Sequence, residues 1–124
     1  MFRVLILLLL PVSAHAALEC RGSAFGLDSV YSLAATENSD LRVSAKTFMD
    51  GKVFIESSGI AKHTSTVKDE DFGVSESYYV YVPEKDSYTE LLAISRDLKS
   101  MARSRPMPTS STGNFIKLTC SGTL

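Results

Sequence analysis

From Leu18 to Val82 the chain runs in short stretches where apolar and polar residues alternate, rich in Val, Tyr, Phe, Thr and Ser and punctuated by Gly, Asp and Asn. A period of two puts one side-chain class on each face of a pleated strand, so this pattern predicts antiparallel β-structure. The clearest piece is Leu41 to Ser58, centred on Asp50-Gly51. With those two residues alone as the loop, Val43 would pair with Ser58, Ala45 with Glu56 and Thr47 with Phe54, which sets a glutamate beside an apolar face. A three-residue loop, Met49-Asp50-Gly51, places Gly51 in the left-handed position of a type I turn plus bulge. It pairs Thr47 with Val53, Ala45 with Ile55 and Val43 with Ser57, so that Leu41, Val43, Ala45, Val53 and Ile55 share one face. The other face carries Arg42, Ser44, Lys46 and Glu56 with Phe48 and Phe54. A one-residue slip exchanges the faces, and burial favours the three-residue loop.

Ile60 to Lys68 and Val74 to Val82 predict a second hairpin through Asp69-Glu70-Asp71-Phe72-Gly73. Within it Val74, Tyr78, Val80 and Val82 share a face, opposed to Ser75, Ser77, Tyr79 and Tyr81. Near the two ends, Leu18, Cys20 and Ala24 alternate with Glu19, Arg21 and Ser23, and Ile116, Leu118 and Cys120 alternate with Lys117, Thr119 and Ser121. Both cysteines fall on apolar faces of strands. The expected fold is all-β, a small antiparallel barrel or sandwich whose first and last strands are joined by a disulfide at the closing seam.

Ser87 to Arg103 supports two readings, so a β-fold with one C-terminal helix stays open. As a helix, Ser87 is the N-cap, Glu90 completes a capping box, and Leu91, Ile94, Leu98, Met101 and Ala102 form a stripe. As a strand, Tyr88, Glu90, Leu92 and Ile94 alternate with Thr89, Leu91 and Ala93, and the strand would pair with the last one. That second reading leaves a long stretch from about Asp97 to Gly113 without structure, uncommon in a compact domain. Arg105 to Gly113, with two prolines and small polar residues, reads as a loop either way.

The first residues add a compartment. Arg3 is a minimal basic region, Val4 to Leu10 an unbroken apolar run, and Ala14-His15-Ala16 offers small residues for cleavage, so 1–16 reads as a signal peptide. The run is too short to span a bilayer as a helix, which takes about 20 residues. Residues 17–124 then form a single exported domain, secreted or periplasmic. Export exposes thiols to oxidation, which supports a Cys20–Cys120 bridge. Glu19 directly before Cys20 argues against lipid attachment there. A zinc cluster would need four Cys or His ligands at short spacings, and beyond the leader there is one histidine, His63.

With a formal net charge of -1, the chain lacks the strongly basic balance of a global nucleic-acid binder. His63 could act as a general base with Asp69, Glu70 or Asp71 and one of many serines, but no nucleophile elbow is present and the set is not coherent. The same acidic turn does not fit the alternating ligand pattern of a calcium loop. No catalytic residue, metal site or cofactor is assigned from the sequence.

Two candidate binding features remain. Phe48, Phe54, Tyr79 and Tyr81 lie opposite the expected core and would form an aromatic surface on a barrel. Arg96, Lys99, Arg103 and Arg105 form a basic stretch beside the Pro-rich loop, able to attract anionic lipid or an acidic partner. The expected function is a non-catalytic binding protein, acting through the aromatic and loop surface on a macromolecule or through the barrel interior on a small ligand. A structural or surface-interaction role ranks next and a small hydrolase using His63 last.

Overall fold

The computed structural model describes residues 17–24, 26–70, 73–105 and 114–124. The signal-peptide reading of 1–16 and most of the Pro-rich loop, 106–113, lie outside the described residues. Eight strands follow in chain order: β1 (Leu18–Ala24), β2 (Leu27–Ala35), β3 (Leu41–Met49), β4 (Lys52–Asp69), β5 (Gly73–Val82), β6 (Ser87–Ser95), β7 (Ser100–Arg105) and β8 (Asn114–Gly122). Each pairs antiparallel with the next, and β8 returns to β1, closing an up-and-down barrel. Among the described residues there is no helix.

The seam is short, running from Leu18↔Gly122 to Arg21↔Thr119, and Cys20 sits directly opposite Cys120 within it. Their Cα atoms are 4.0 Å apart and the sulfurs are bonded across a sequence separation of 100. Both side chains point inward, 0% and 7% exposed. The terminal alternation thus places its cysteines as expected. An eight-stranded barrel leaves an interior about wide enough for side chains to fill. Here Leu33, Leu92, Ile94, Met101, Leu18 and Cys20 are its largest fully buried side chains among the described residues.

Three sequence expectations are corrected. The β3–β4 connection is a two-residue turn, because Asp50 (φ 52°) and Gly51 (φ 79°) are both left-handed, the conformation that Asp-Gly suits and that matches strand twist. Met49 pairs with Lys52 and Phe48 with Val53, and an extra residue at Phe54 then shifts the register to Thr47↔Ile55, Ala45↔Ser57 and Val43↔Gly59. The expected pairs Thr47–Val53, Ala45–Ile55 and Val43–Ser57 do not form. Burial still set the register, but through residues further along β4: Ala61 is fully buried opposite Leu41, while Val53 and Ile55 stay exposed. Gly59 belongs to this arrangement, since a Cβ there would run into the Tyr81 carbonyl oxygen where β5 arrives.

Secondly, the two expected hairpins share one continuous strand of 18 residues, β4. Its far half pairs with β5, and Tyr78, Val80 and Val82 face inward as the alternation predicts. Thirdly, 87–103 forms two strands and the helix is absent. Strand β6 pairs with β5 and β7, and β7, not β6, meets the last strand. A four-residue turn removes the objection to a long bare stretch. Asp97 accepts the Lys99 N–H (3.0 Å) and the Ser95 hydroxyl (2.7 Å), and Leu98 takes a left-handed conformation (φ 61°) while packing on the core. The hydroxyl first and then the backbone N–H hold the Asp97 carboxyl below its usual range.

Candidate functional site

Strand alternation sends Tyr79 and Tyr81 of β5 to the outside of the barrel, and the register places Tyr81 opposite Tyr88 of β6. An extra residue at Thr89 makes this possible, because Val80 pairs with Glu90 and the next pair is Tyr81↔Tyr88. Tyr88 meets Tyr81 at 5.3 Å between ring centroids and Tyr79 at 6.0 Å, the second pair edge-to-face. Tyr79 and Tyr88 remain 46% and 56% exposed. The Tyr81 hydroxyl donates to Asp86, and that bond, ahead of any burial, raises the phenol above its ordinary range.

The rows of the sheet extend the platform sideways. Arg42, Ile60, Tyr81 and Tyr88 lie in register across β3, β4, β5 and β6, and Lys62, Tyr79 and Leu91 form the next row. Among the described residues neither Arg42 nor Lys62 has an ion-pair partner. Two cations therefore flank three clustered tyrosines on the same outer wall.

Of the four aromatic residues expected to act together, Tyr79 and Tyr81 join this wall. Phe54 lies at the β3–β4 hairpin, 55% exposed. Phe48 packs elsewhere, in a shallow depression of about 450 Å³ with Arg21, Asp28 and Val30. Tyr88 carries no signal of a site in the sequence. A bulge in β6 aligns it with Tyr81, and alternation alone cannot signal a bulge.

The basic stretch is dispersed. Arg96 lies in the β6–β7 turn and binds Glu76 (3.2 Å), Lys99 is exposed in that turn, and the Arg105 side chain lies outside what is described. Arg103 points into the barrel, 5% exposed, with its Nε 3.9 Å from Glu90. Both Glu90 oxygens accept the Tyr31 hydroxyl, at 2.9 and 2.8 Å. Among the described residues Arg103 Nε has no hydrogen bond.

His63 is drawn inward by the alternation of β4 and finds a carboxylate in Glu76 of β5, at 2.8 Å; of the acidic turn, Asp71 and the Asp69 side chain lie outside the described residues. The Thr66 hydroxyl donates to the same Glu76 oxygen (2.7 Å), and Arg96 holds the other. Thr66 first, then His63 and Arg96, hold the Glu76 carboxyl below its ordinary value. Burial, with Glu76 and Asp40 nearby, raises Tyr78 beneath the imidazole. The group clasps β4, β5 and the β6–β7 turn together, and no serine is hydrogen-bonded to His63 among the described residues. No cluster of three or more His, Cys, Asp or Glu among them could hold a metal ion.

A carboxyl depressed in the folded state stabilises above its unfolded pKa and loses that contribution as pH falls through the lower folded value. Glu76→Gln should therefore lower the thermal midpoint by a few degrees at pH 7 and change it little near pH 3. Thermal unfolding followed by circular dichroism from pH 3 to 7 checks this, and a deficit equal at both ends would contradict it.

No family model, curated protein or solved structure matches this chain.

Proposed function

We propose that this protein is an exported, non-catalytic binding domain that engages a macromolecular partner through the tyrosine wall of β4, β5 and β6. One observation carries the reading: Tyr88 contacts both Tyr79 and Tyr81, Tyr79 and Tyr88 are about half exposed, and Arg42 and Lys62 lie in the same rows of the sheet. Large aromatic rings with a polar tip, together with arginine, are the residues that dominate macromolecular interfaces, because they offer much contact area for little loss of rotamer freedom. The outer wall is preferred to the barrel interior because the described inward side chains pack on one another as a hydrophobic core. The disulfide, stable under oxidising conditions, supports a secreted or periplasmic place of action.

Tyr79→Ser/Tyr88→Ser should fold with a midpoint within a few degrees of the parent, since both side chains are largely exposed, while losing at least 10-fold in affinity for the partner. Covalent capture from extracytoplasmic extracts, with quantitative mass spectrometry of parent against variant, identifies that partner. A capture profile unchanged by the double substitution would remove this surface from consideration.

A further inference from the structure

The tyrosine wall borders a shallow depression where β5 parts from β4. Pairing between the two strands begins at Ile60↔Tyr81, and past Val82 the chain turns through Pro83 and Glu84, so the outer face opens beside Ser58 and Gly59. Arg42 enters from β3, opposite Ile60. Together these residues line about 300 Å³. The turn on one side is fixed, because the Lys85 N–H donates to the Val82 carbonyl and the Asp86 N–H to the Pro83 carbonyl, both at 3.1 Å. The Asp86 carboxylate is already engaged by the Tyr81 hydroxyl.

Arg42 and Glu84 carry the argument. They line the same depression, yet neither forms an ion pair with the other or with any described residue. A guanidinium and a carboxylate held apart on a firm scaffold offer donors and acceptors to one ligand, and the Ser58 hydroxyl can serve as either. Ile60 adds an apolar side in the same row as Tyr81 and Tyr88. A fitting ligand accepts from Arg42, donates to Glu84 and lays an apolar face on the exposed rings of Tyr79 and Tyr88. An acidic peptide or a phosphate chain satisfies Arg42 but brings like charge towards Glu84. A neutral glycan leaves Arg42 and Lys62 without a counter-charge. A sugar acid supplies all three features: a carboxylate for the guanidinium, hydroxyls that donate, and a face of ring C–H groups that rests on an aromatic ring.

We propose that the wall and this depression bind a polysaccharide bearing uronic acids, with a carboxylate on Arg42, hydroxyls on Glu84 and sugar rings on Tyr79 and Tyr88. The proposal rests on the binding role of the wall and names the chemistry of its partner. Arg42 and Tyr88 stand three strands apart in one row, about 14 Å of sheet, which a few linked sugar rings span. Lys62, in the next row and without an ion pair among the described residues, meets the carboxylate of a neighbouring ring.

Isothermal titration of the oxidised protein with hexasaccharides of polygalacturonate, alginate and hyaluronan tests the assignment. At least one should bind with a dissociation constant of about 10 to 500 µM. Reducing its carboxylates to alcohols should cost about 10-fold in affinity. Arg42→Gln should lose a similar amount against the native hexasaccharide and nothing further against the reduced one, because both changes remove one contact. Glu84→Gln should weaken binding several-fold and Tyr79→Ser/Tyr88→Ser by about 10-fold or more, while Lys68→Gln, towards the far end of β4, should bind as the parent does. Losses from reduction and from Arg42→Gln that simply add overturn the carboxylate contact at Arg42. A hexaglutamate peptide that binds as tightly as the best hexasaccharide overturns the sugar and gives the depression to an acidic peptide. Absence of binding by all three hexasaccharides up to about 5 mM overturns the proposal as well. A capture profile that still depends on Tyr79 and Tyr88 then keeps the wall and assigns it a partner of another class.

Discussion

Replacing Cys20 and Cys120 together by serine should lower the thermal midpoint by about 20 °C. The bridge spans 100 residues of sequence, and closing a loop of that length restricts the unfolded chain by roughly 4 to 5 kcal/mol in the chain-entropy description. A domain of this size has about 5 to 15 kcal/mol in total, and each kcal/mol moves the midpoint by about 4 °C or more. The seam offers little reserve, since only four residue pairs join β1 to β8. Scanning calorimetry of the double-serine protein beside the parent measures the shift. A loss under about 5 °C would mean that β1–β8 pairing and core packing alone keep the barrel closed.

The second large effect lies in the interior. Glu90→Leu should destabilise the fold by about 3 to 5 kcal/mol, because Arg103 then keeps a charge in a site where it is 5% exposed. The Tyr31 hydroxyl also loses the two Glu90 oxygens to which it donates, which adds to the cost. Adding Tyr31→Phe and Arg103→Met should recover part of the loss, since Arg103 then no longer buries a charge and apolar replacement of both members of a buried ion pair is often neutral or better. Urea unfolding with a common slope reads both steps. If Glu90→Leu alone proves harmless, the arginine has a route to water.

Much of the architecture was legible because burial alternates along a strand with the same period as the side chains. Leu18 and Cys20, Tyr78 and Val80, and Leu118 and Cys120 face inward where their spacing puts them. The tyrosine wall was half legible: Tyr79 and Tyr81 follow from the β5 alternation, whereas Tyr88 joins them through an extra residue in β6. Arg103 reads as one more cation in a basic run until β7 forms and alternation aims it at Glu90.

The sequence by itself determined that the chain is built of antiparallel strands and which apolar positions near the termini meet through Cys20 and Cys120, because both depend on local period and on covalent chemistry. Tertiary structure alone decided the register of β3 on β4, the split of 87–103 into two strands, and the bulge that collects the tyrosines. Those choices turn on which neighbour buries a face: the capping box and stripe of 87–103 are good local signals, but pairing on both sides within a closed barrel outweighs them.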